Sequence, residues 1–193
     1  MATTRGAFVP DIDPKQHKLT IHGVVDRPLT FTMTVALAFD KSGRTLAFAL
    51  GDGGLALIDI VSHRVVANIA LQGHPEGFQL SGDGRYAYVN VPDRNQIAMV
   101  DLEARQRIAT WPTAELRSNF PMALESSGDG LWVAFRSPPR LVRFDTRQGK
   151  ATLSLNTCGD SDDVFLDGPR RRVYVICGSG TVLVEARRLG LRA

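Results

Sequence analysis

The feature that most constrains this chain is an internal repeat with a period of about 41 residues. Gly43 and Gly84 occupy the same position in the first two copies and lie 41 residues apart. The four copies are Phe39–Phe48, Leu80–Val89, Leu124–Val133 and Leu166–Val175. Periods of this length are typical of solenoids, propellers and other repeat arrays. The repeat therefore limits the fold class before any single element is assigned.

Each copy contains short strand candidates separated by turn residues, and each reaches an acidic position near the end of its third candidate. These acidic positions are Asp59, Asp101, Asp145 and Glu185. Short apolar or alternating runs bounded by Gly, Pro, Asp and Asn are typical of strands and hairpins. No window longer than about ten residues keeps a helical period without Gly or Pro, which excludes a helical solenoid. The sequence predicts an all-β propeller of about four blades, each a four-stranded antiparallel sheet, with positive φ at Gly84 and Gly130.

One stretch of the second copy carries a family resemblance. His74–Asn90, followed by Gln96–Asp101, resembles the YVTN-type β-propeller repeat of YncE-like proteins, and the likeness extends over roughly residues 34–185. The resemblance implies a propeller that binds other molecules on its blade tops and full-length relatives that are exported to the periplasm. Because that family usually has seven blades, the resemblance also implies an incomplete or truncated propeller here.

The N-terminal residues do not follow the repeat. Residues 11–33 resemble the opening of the molybdopterin-binding domain of sulfite dehydrogenases, but propeller sequence begins before any cysteine that could hold molybdenum. We therefore expect no molybdenum and no other cofactor. The predicted organisation is an N-terminal segment over residues 1–33, propeller repeats over 34–185 and an irregular tail over 186–193.

The fourth copy has three strand candidates where the other copies have four. Leu19–His22 alternates between apolar and polar residues and is a candidate for the missing edge strand. If it does not pair there, an open sheet edge remains, and such an edge favours self-association. Both alternatives are consistent with the sequence.

Composition excludes several classes of function. The 23 Lys and Arg residues against 20 Asp and Glu residues give a formal net charge of +3, which does not indicate a nucleic-acid partner. No apolar run is long enough to span a membrane, and no apolar signal segment precedes Pro10, so the sequence predicts a cytosolic location. Two cysteines, Cys158 and Cys177, are too few for a disulfide framework and lack the C-x-x-C spacing of a zinc site.

Candidate ligand contacts precede the innermost strand of each predicted blade, where a propeller opens its central channel. They are His74 and Glu76 in the second copy, Arg117, Ser118 and Asn119 in the third, and Asp160, Asp162 and Asp163 in the fourth. Carboxylates with one imidazole are suited to a cation or a polar ligand. The alternative is that these side chains are solvated or cap turns, as Asp and Asn commonly do.

Three functions remain open. The first is a non-catalytic propeller module that binds a protein, peptide or polymer. The second is a lactonase-like or quinoprotein-like dehydrogenase activity that uses a metal held by Glu76, Asn119 and Asp160 or Asp163. The third is a fragment of a larger propeller protein without a function of its own. The first is favoured because the resemblance to YncE-like proteins implies it, and the sequence gives no support for a hydrolase triad or a phosphate-binding loop.

Overall fold

The computed structural model describes residues 19–21, 29–31, 34–39, 42–50 and 52–186. Within these ranges the regular structure consists of β-strands and one short 3₁₀ turn at Pro92–Arg94. The prediction of an all-β fold is therefore confirmed. In this part of the chain no helix is long and apolar enough to cross a membrane.

Fifteen of the strands form four antiparallel sheets that follow one another along the chain. The first sheet contains β3 (Thr34–Phe39), β4 (Thr45–Leu50), β5 (Gly54–Asp59) and β6 (Arg64–Ala70). The second contains β7 (Phe78–Leu80), β8 (Tyr86–Val91), β9 (Gln96–Asp101) and β10 (Gln106–Pro112). The third contains β11 (Arg117–Leu124), β12 (Gly130–Ser137), β13 (Pro139–Asp145) and β14 (Lys150–Asn156). The fourth contains β15 (Ser161–Asp167), β16 (Arg172–Cys177) and β17 (Val182–Ala186).

The contacts between sheets identify the innermost strands. The first strand of each sheet contacts the first strand of the next, through the pairs β3 with β7, β7 with β11, and β11 with β15. Within each sheet the strands then follow in chain order away from that first strand. This arrangement is that of consecutive propeller blades, and the starts of β7, β11 and β15 lie at one end of the central channel, which we call the channel mouth.

The core consists of apolar layers between neighbouring blades. One layer joins the first and second blades around Leu55, Leu57 and Val89. Another joins the second and third blades around Trp111 and Phe135, and a third layer joins the third and fourth blades. Side chains alternate between the two faces of a strand, so inner strands of the second and third blades, such as β8 and β12, contribute to the layers on both sides.

In the first three blades, the acidic residue at the end of the third strand organises the turn that follows. Asp101 accepts hydrogen bonds from the Ala104 N–H (2.8 Å) and from the Arg85 guanidinium (3.1 Å). Asp145 similarly accepts the N–H groups of Arg147 and Gln148 at 2.9 and 2.8 Å. These repeated carboxylates therefore cap turns, at the end of the blades opposite the channel mouth.

Of the two predictions of a positive φ, one is confirmed and one is corrected. Gly84 has the expected positive φ of 76°, but in the third copy the positive φ of 77° belongs to Gly128, not to Gly130. Gly130 instead begins β12, where an added Cβ would collide with the Glu125 carboxylate. The prediction was wrong because the doubled glycine hides which of the two residues occupies the turn.

The N-terminal strand differs from the edge strand predicted for the fourth sheet. Leu19–Ile21 (β1) pairs antiparallel with Leu29–Phe31 (β2) in a separate two-stranded sheet. Among the described residues the fourth sheet has three strands, with β17 at its outer edge. Most of the segment that resembles sulfite dehydrogenases, and the tail beyond residue 186, lie outside the described residues.

Candidate ligand-binding site at the channel mouth

His74 and Glu76 lie together on the segment that leads into β7. The His74 Nε2 and Glu76 Oε1 atoms are 3.5 Å apart, and both side chains are partly exposed. Backbone contacts hold the segment in place, because the His74 N–H donates to Asp93 Oδ2 (3.1 Å) and the Glu76 N–H donates to the Asn90 carbonyl (2.9 Å). Burial raises the pKa of the Glu76 carboxyl, while the charges of His74 and Arg136 partly offset that rise.

Arg136 connects the third blade to the fourth at the mouth. It lies near the end of β12 and donates from Nε and Nη2 to the Ser161 carbonyl at 3.1 and 3.0 Å. Its Nη2 also donates to Asp162 Oδ1 at 2.8 Å, and its guanidinium lies 4.6 Å from the centre of the Phe120 ring. These contacts fix the guanidinium between two blades and leave it half-buried.

A line of charges therefore crosses three consecutive blades. Glu76 belongs to the second blade, Arg136 to the third and Asp162 to the fourth. Asp162 is linked to Arg136 by an ion pair, and the Glu76 carboxyl interacts with the same guanidinium electrostatically. The sequence identified both carboxylates but not Arg136 or Phe120. The available signal was the single charge near the end of the apolar run Leu131–Phe135.

Asn119 lies in a buried network instead of at the exposed rim. Its side chain is 0 % exposed, and its Nδ2 donates to Asn90 Oδ1 (2.9 Å) and to the Gln96 carbonyl (3.1 Å). Asn90 in turn donates from Nδ2 to the Phe120 carbonyl (2.9 Å). Asn119 Oδ1 is buried without a hydrogen-bond partner among the described residues. The network joins the second and third blades directly behind the mouth.

The remaining predicted residues occupy different positions around β15. Asp160 precedes the strand, and its Oδ2 accepts the Ser179 N–H (2.6 Å). Asp163 is exposed and shares a register row with Ile176 and Val182, on the sheet face opposite Val164 and Val175. The structure thus brings Glu76 and Asp162 together through Arg136, whereas Asp160 and Asp163 face different neighbours.

Cys158 and Cys177 form a disulfide within the fourth blade, with their Cα atoms 6.2 Å apart. The sequence did not indicate this bond, because the two residues are 19 positions apart and only the hairpin of β15 and β16 brings them together. Among the described residues, Cys158, Asp160 and Cys177 form a group of side chains that could hold a metal ion together, because one ligand atom from each lies within 4.8 Å of the others.

A cleft of about 280 Å³ lies at the opposite end of the first two blades. Its lining includes Leu57, Asp83, Arg85 and Glu103. Arg85 is already paired with Asp101 there, and Asp83 accepts hydrogen bonds from Ser81 and from the Arg85 N–H. These polar groups bind one another and hold the turns, so the cleft is a weaker candidate than the mouth.

Comparisons with known proteins support the fold. No protein-family model and no curated protein matches the sequence. Among solved structures, the chain is similar to the hydrazine synthase of Kuenenia stuttgartiensis, with a TM-score of 0.71 and 18 % identity. The match covers 79 % of this chain and 45 % of that one, so this chain spans less than half the length of its structural neighbour. At this identity the likeness concerns the fold alone: the described residues form part of a β-propeller.

Proposed function

We propose that this chain is a non-catalytic β-propeller module that binds a protein or peptide segment at the channel mouth, through a basic side chain of that partner. The observation that carries the proposal is the line of Glu76, Arg136 and Asp162 across three blades. Its middle member is a cation that is already hydrogen-bonded, while its two ends are carboxylates. A ligand cation placed beside either end would gain a charge-assisted hydrogen bond.

The balance of charge at the mouth supports a cationic partner. Four carboxylates lie at or before the starts of the innermost strands, on Glu76, Asp160, Asp162 and Asp163, against the guanidinium groups of Arg117 and Arg136 and the imidazole of His74. Burial disfavours the charged form of Glu76, and a nearby cation would reverse that effect. Phe120 adds an aromatic surface at the same place. Carboxylates beside an aromatic ring suit a lysine or arginine side chain.

The metal-assisted alternative receives less support from the geometry. It requires Glu76 and Asn119 to act with Asp160 or Asp163. The Asn119 amide is buried and donates to Asn90 and Gln96, and the Asp160 carboxylate accepts the Ser179 N–H. Asn119 thus lies in the buried network behind the mouth, whereas Asp163 is exposed on one face of its sheet, so the proposed ligands lie in different surroundings. Metal analysis of the purified chain, with lactonase and dehydrogenase assays, separates this alternative from the binding module.

Binding is tested with hexalysine as the probe and hexaglutamate as the matched anionic control. We expect the melting temperature to rise as hexalysine is added, approximately with the logarithm of its concentration above the Kd, and to stay unchanged with hexaglutamate. Glu76→Gln and Asp162→Asn should each weaken hexalysine binding roughly three- to tenfold. Glu103→Gln removes an exposed carboxylate at the opposite end and serves as the control. Equal loss in all three variants would refute a site at the mouth.

The pH dependence provides a second test of the same site. Because the pKa of Glu76 is raised, this carboxylate takes up a proton at a higher pH than an ordinary glutamate. Affinity for hexalysine should therefore begin to fall early during acidification, and Glu76→Gln should remove that early phase. An unchanged pH profile in the variant would show that Glu76 does not contact the ligand.

We also propose more specific properties of the chain, which concern its relatives, its self-association and its compartment. The YVTN-type repeat of His74–Asn90 supports kinship with YncE-like proteins, and the likeness of residues 11–33 to sulfite dehydrogenases remains a hypothesis. The outer strand β17 and the exposed apolar side chains of its sheet support self-association as a further property. The disulfide Cys158–Cys177 favours an oxidising compartment over the cytosol, because thiols stay reduced in the cytosol.

A further inference from the structure

Cys158, Asp160 and Cys177 form a compact group beside the channel mouth. Cys158 lies before β15 and Cys177 ends β16, so the hairpin places them side by side. Their sulfur atoms and one carboxylate oxygen of Asp160 all lie within 4.8 Å of one another. Cys177 is 2 % exposed, whereas Cys158 and Asp160 are partly exposed. The group is therefore partly screened from water and still accessible from the mouth.

Two buried hydroxyl groups flank this group without a hydrogen-bond partner. Among the described residues, Thr157 Oγ1 and Ser161 Oγ are buried and unpaired. Thr157 is adjacent to Cys158 in the chain, and Ser161 is adjacent to Asp160. Buried polar atoms are nearly always paired with protein or with ordered water. Both hydroxyls lie next to members of this group in the chain, and a bound water or another polar ligand there would pair them.

We propose that the reduced chain binds one Zn²⁺ through the sulfur atoms of Cys158 and Cys177 and the carboxylate of Asp160, with water as the fourth ligand. Two thiolates with one oxygen ligand suit zinc, whereas calcium and magnesium prefer oxygen ligands alone. The Ser179 N–H donates to Asp160 Oδ2 (2.6 Å) and orients the carboxylate, as an outer ligand partner does in zinc sites.

The disulfide and the zinc site are alternative states of the same two sulfur atoms. A low-molecular-weight dithiol supplies two electrons and two protons, which converts the disulfide into two thiols while the dithiol becomes a disulfide. Zinc binding then displaces both thiol protons to solvent, because thiolates are the ligands. The chain therefore binds zinc in a reducing compartment and carries the Cys158–Cys177 bond in an oxidising one.

Cobalt(II) is the probe for this site, because sulfur ligation gives it a charge-transfer absorption that oxygen ligands do not. The full chain, reduced with a phosphine that is then removed, should bind about one equivalent of Co²⁺ with that absorption, and Zn²⁺ should displace it. The oxidised chain should show no such band. Asp160→Asn should weaken binding about tenfold or more, and Asp167→Asn, at the opposite end of β15 where Asp167 pairs with Arg170, should leave it unchanged.

Urea unfolding of each sample accompanies the titration and separates loss of the site from loss of the fold. A reduced chain that unfolds cooperatively but lacks the sulfur band would overturn the proposal, and so would a reduced chain that no longer folds. Equal affinity in Asp160→Asn and Asp167→Asn would refute the carboxylate ligand. Hexalysine binding does not depend on these outcomes, because Glu76 and Arg136 are not ligands of the proposed metal.

Discussion

The third and fourth blades share an apolar layer, and the fourth blade has a second, outer face on its other side. The same positions of the repeat form the shared layer and the outer face. Trp132 in β12 and Tyr174 in β16 correspond to each other in the aligned copies. Trp132 is 0 % exposed and donates from Nε1 to Glu125 Oε1 at 2.9 Å. Tyr174 is only partly buried, and its register neighbours Phe165 and Val184 are 53 % and 47 % exposed.

The comparison shows that the repeat supplies an apolar face to every blade, whether or not a neighbour covers it. In the third blade the face becomes core, and its polar groups find buried partners. In the fourth blade the same kind of face remains at the surface. Exposed apolar patches of this kind mark interaction surfaces or aggregation liabilities. Substitutions in the covered layer should therefore lower the free energy of unfolding more than substitutions on the outer face.

Trp132→Ala should be the most damaging change, because it leaves a large cavity in the covered layer. We expect a loss of about 4 kcal/mol in the free energy of unfolding, measured by urea denaturation. Tyr174→Ala at the corresponding exposed position should cost about 1 kcal/mol. Similar losses in the two variants would remove the distinction between the faces.

Glu125→Ala tests the polar part of the covered layer. Glu125 binds Arg143 Nε at 2.7 Å and also accepts the Trp132 indole N–H, so its loss leaves a partly buried guanidinium without its carboxylate and the indole unpaired. The free energy of unfolding should fall by about 2–3 kcal/mol. Asp129→Ala breaks the exposed ion pair with Arg147 and should cost less than about 1 kcal/mol. A larger loss in Asp129→Ala would contradict this ranking.

Two glycines of one turn compare packed and open surroundings directly. A methyl group at Gly130 would meet the Glu125 and Arg143 side chains, whereas nothing lies within 4 Å of a methyl group at Gly128. Gly130→Ala should therefore cost about 2 kcal/mol through overpacking. Gly128→Ala should cost about 1 kcal/mol because its positive φ disfavours a side chain. Thermal unfolding of both variants checks the order, and the reverse order would show that the backbone conformation dominates.

Lowering the pH should destabilise the turns that acidic side chains cap. This effect should not depend on which apolar face of the blade is covered. The Ala104 N–H and the Arg85 guanidinium lower the pKa of the Asp101 carboxyl. Its folded pKa is below the unfolded one, so its contribution is present above the unfolded pKa and lost as the pH falls through the folded pKa. Asp101→Asn should lower the melting temperature at neutral pH and reduce the loss on acidification. A parallel pH profile for variant and parent would exclude this role.

The smallest effect on stability is expected on the outer face. Phe165→Lys combined with Val184→Glu places charges on exposed side chains that correspond to core positions elsewhere. The free energy of unfolding should change by no more than about 0.5 kcal/mol for each substitution. Sedimentation should at the same time show less self-association than in the parent chain. A strongly destabilised variant would mean that this face is covered in solution, as in the other blades.

The sequence by itself determined the blade architecture. The strands and their order were predicted from three local signals: a period of about 41 residues, alternating apolar runs and glycine-containing turns. The positions of His74, Glu76 and Asp162 near the mouth also follow from their place before or at the start of an innermost strand. These features depend on neighbours in the chain, which a single sequence displays.

Only the tertiary structure decided which of these residues act together. Arg136 lies on a second strand, and it reaches Asp162 and the Ser161 carbonyl because two blades pack side by side. Asn119 was expected at the rim but is buried, since its amide finds Asn90 and Gln96 on the preceding blade. The Cys158–Cys177 bond likewise depends on the register of one hairpin. Contacts between blades join residues about 20 to 60 positions apart, and no local pattern records which of them will meet.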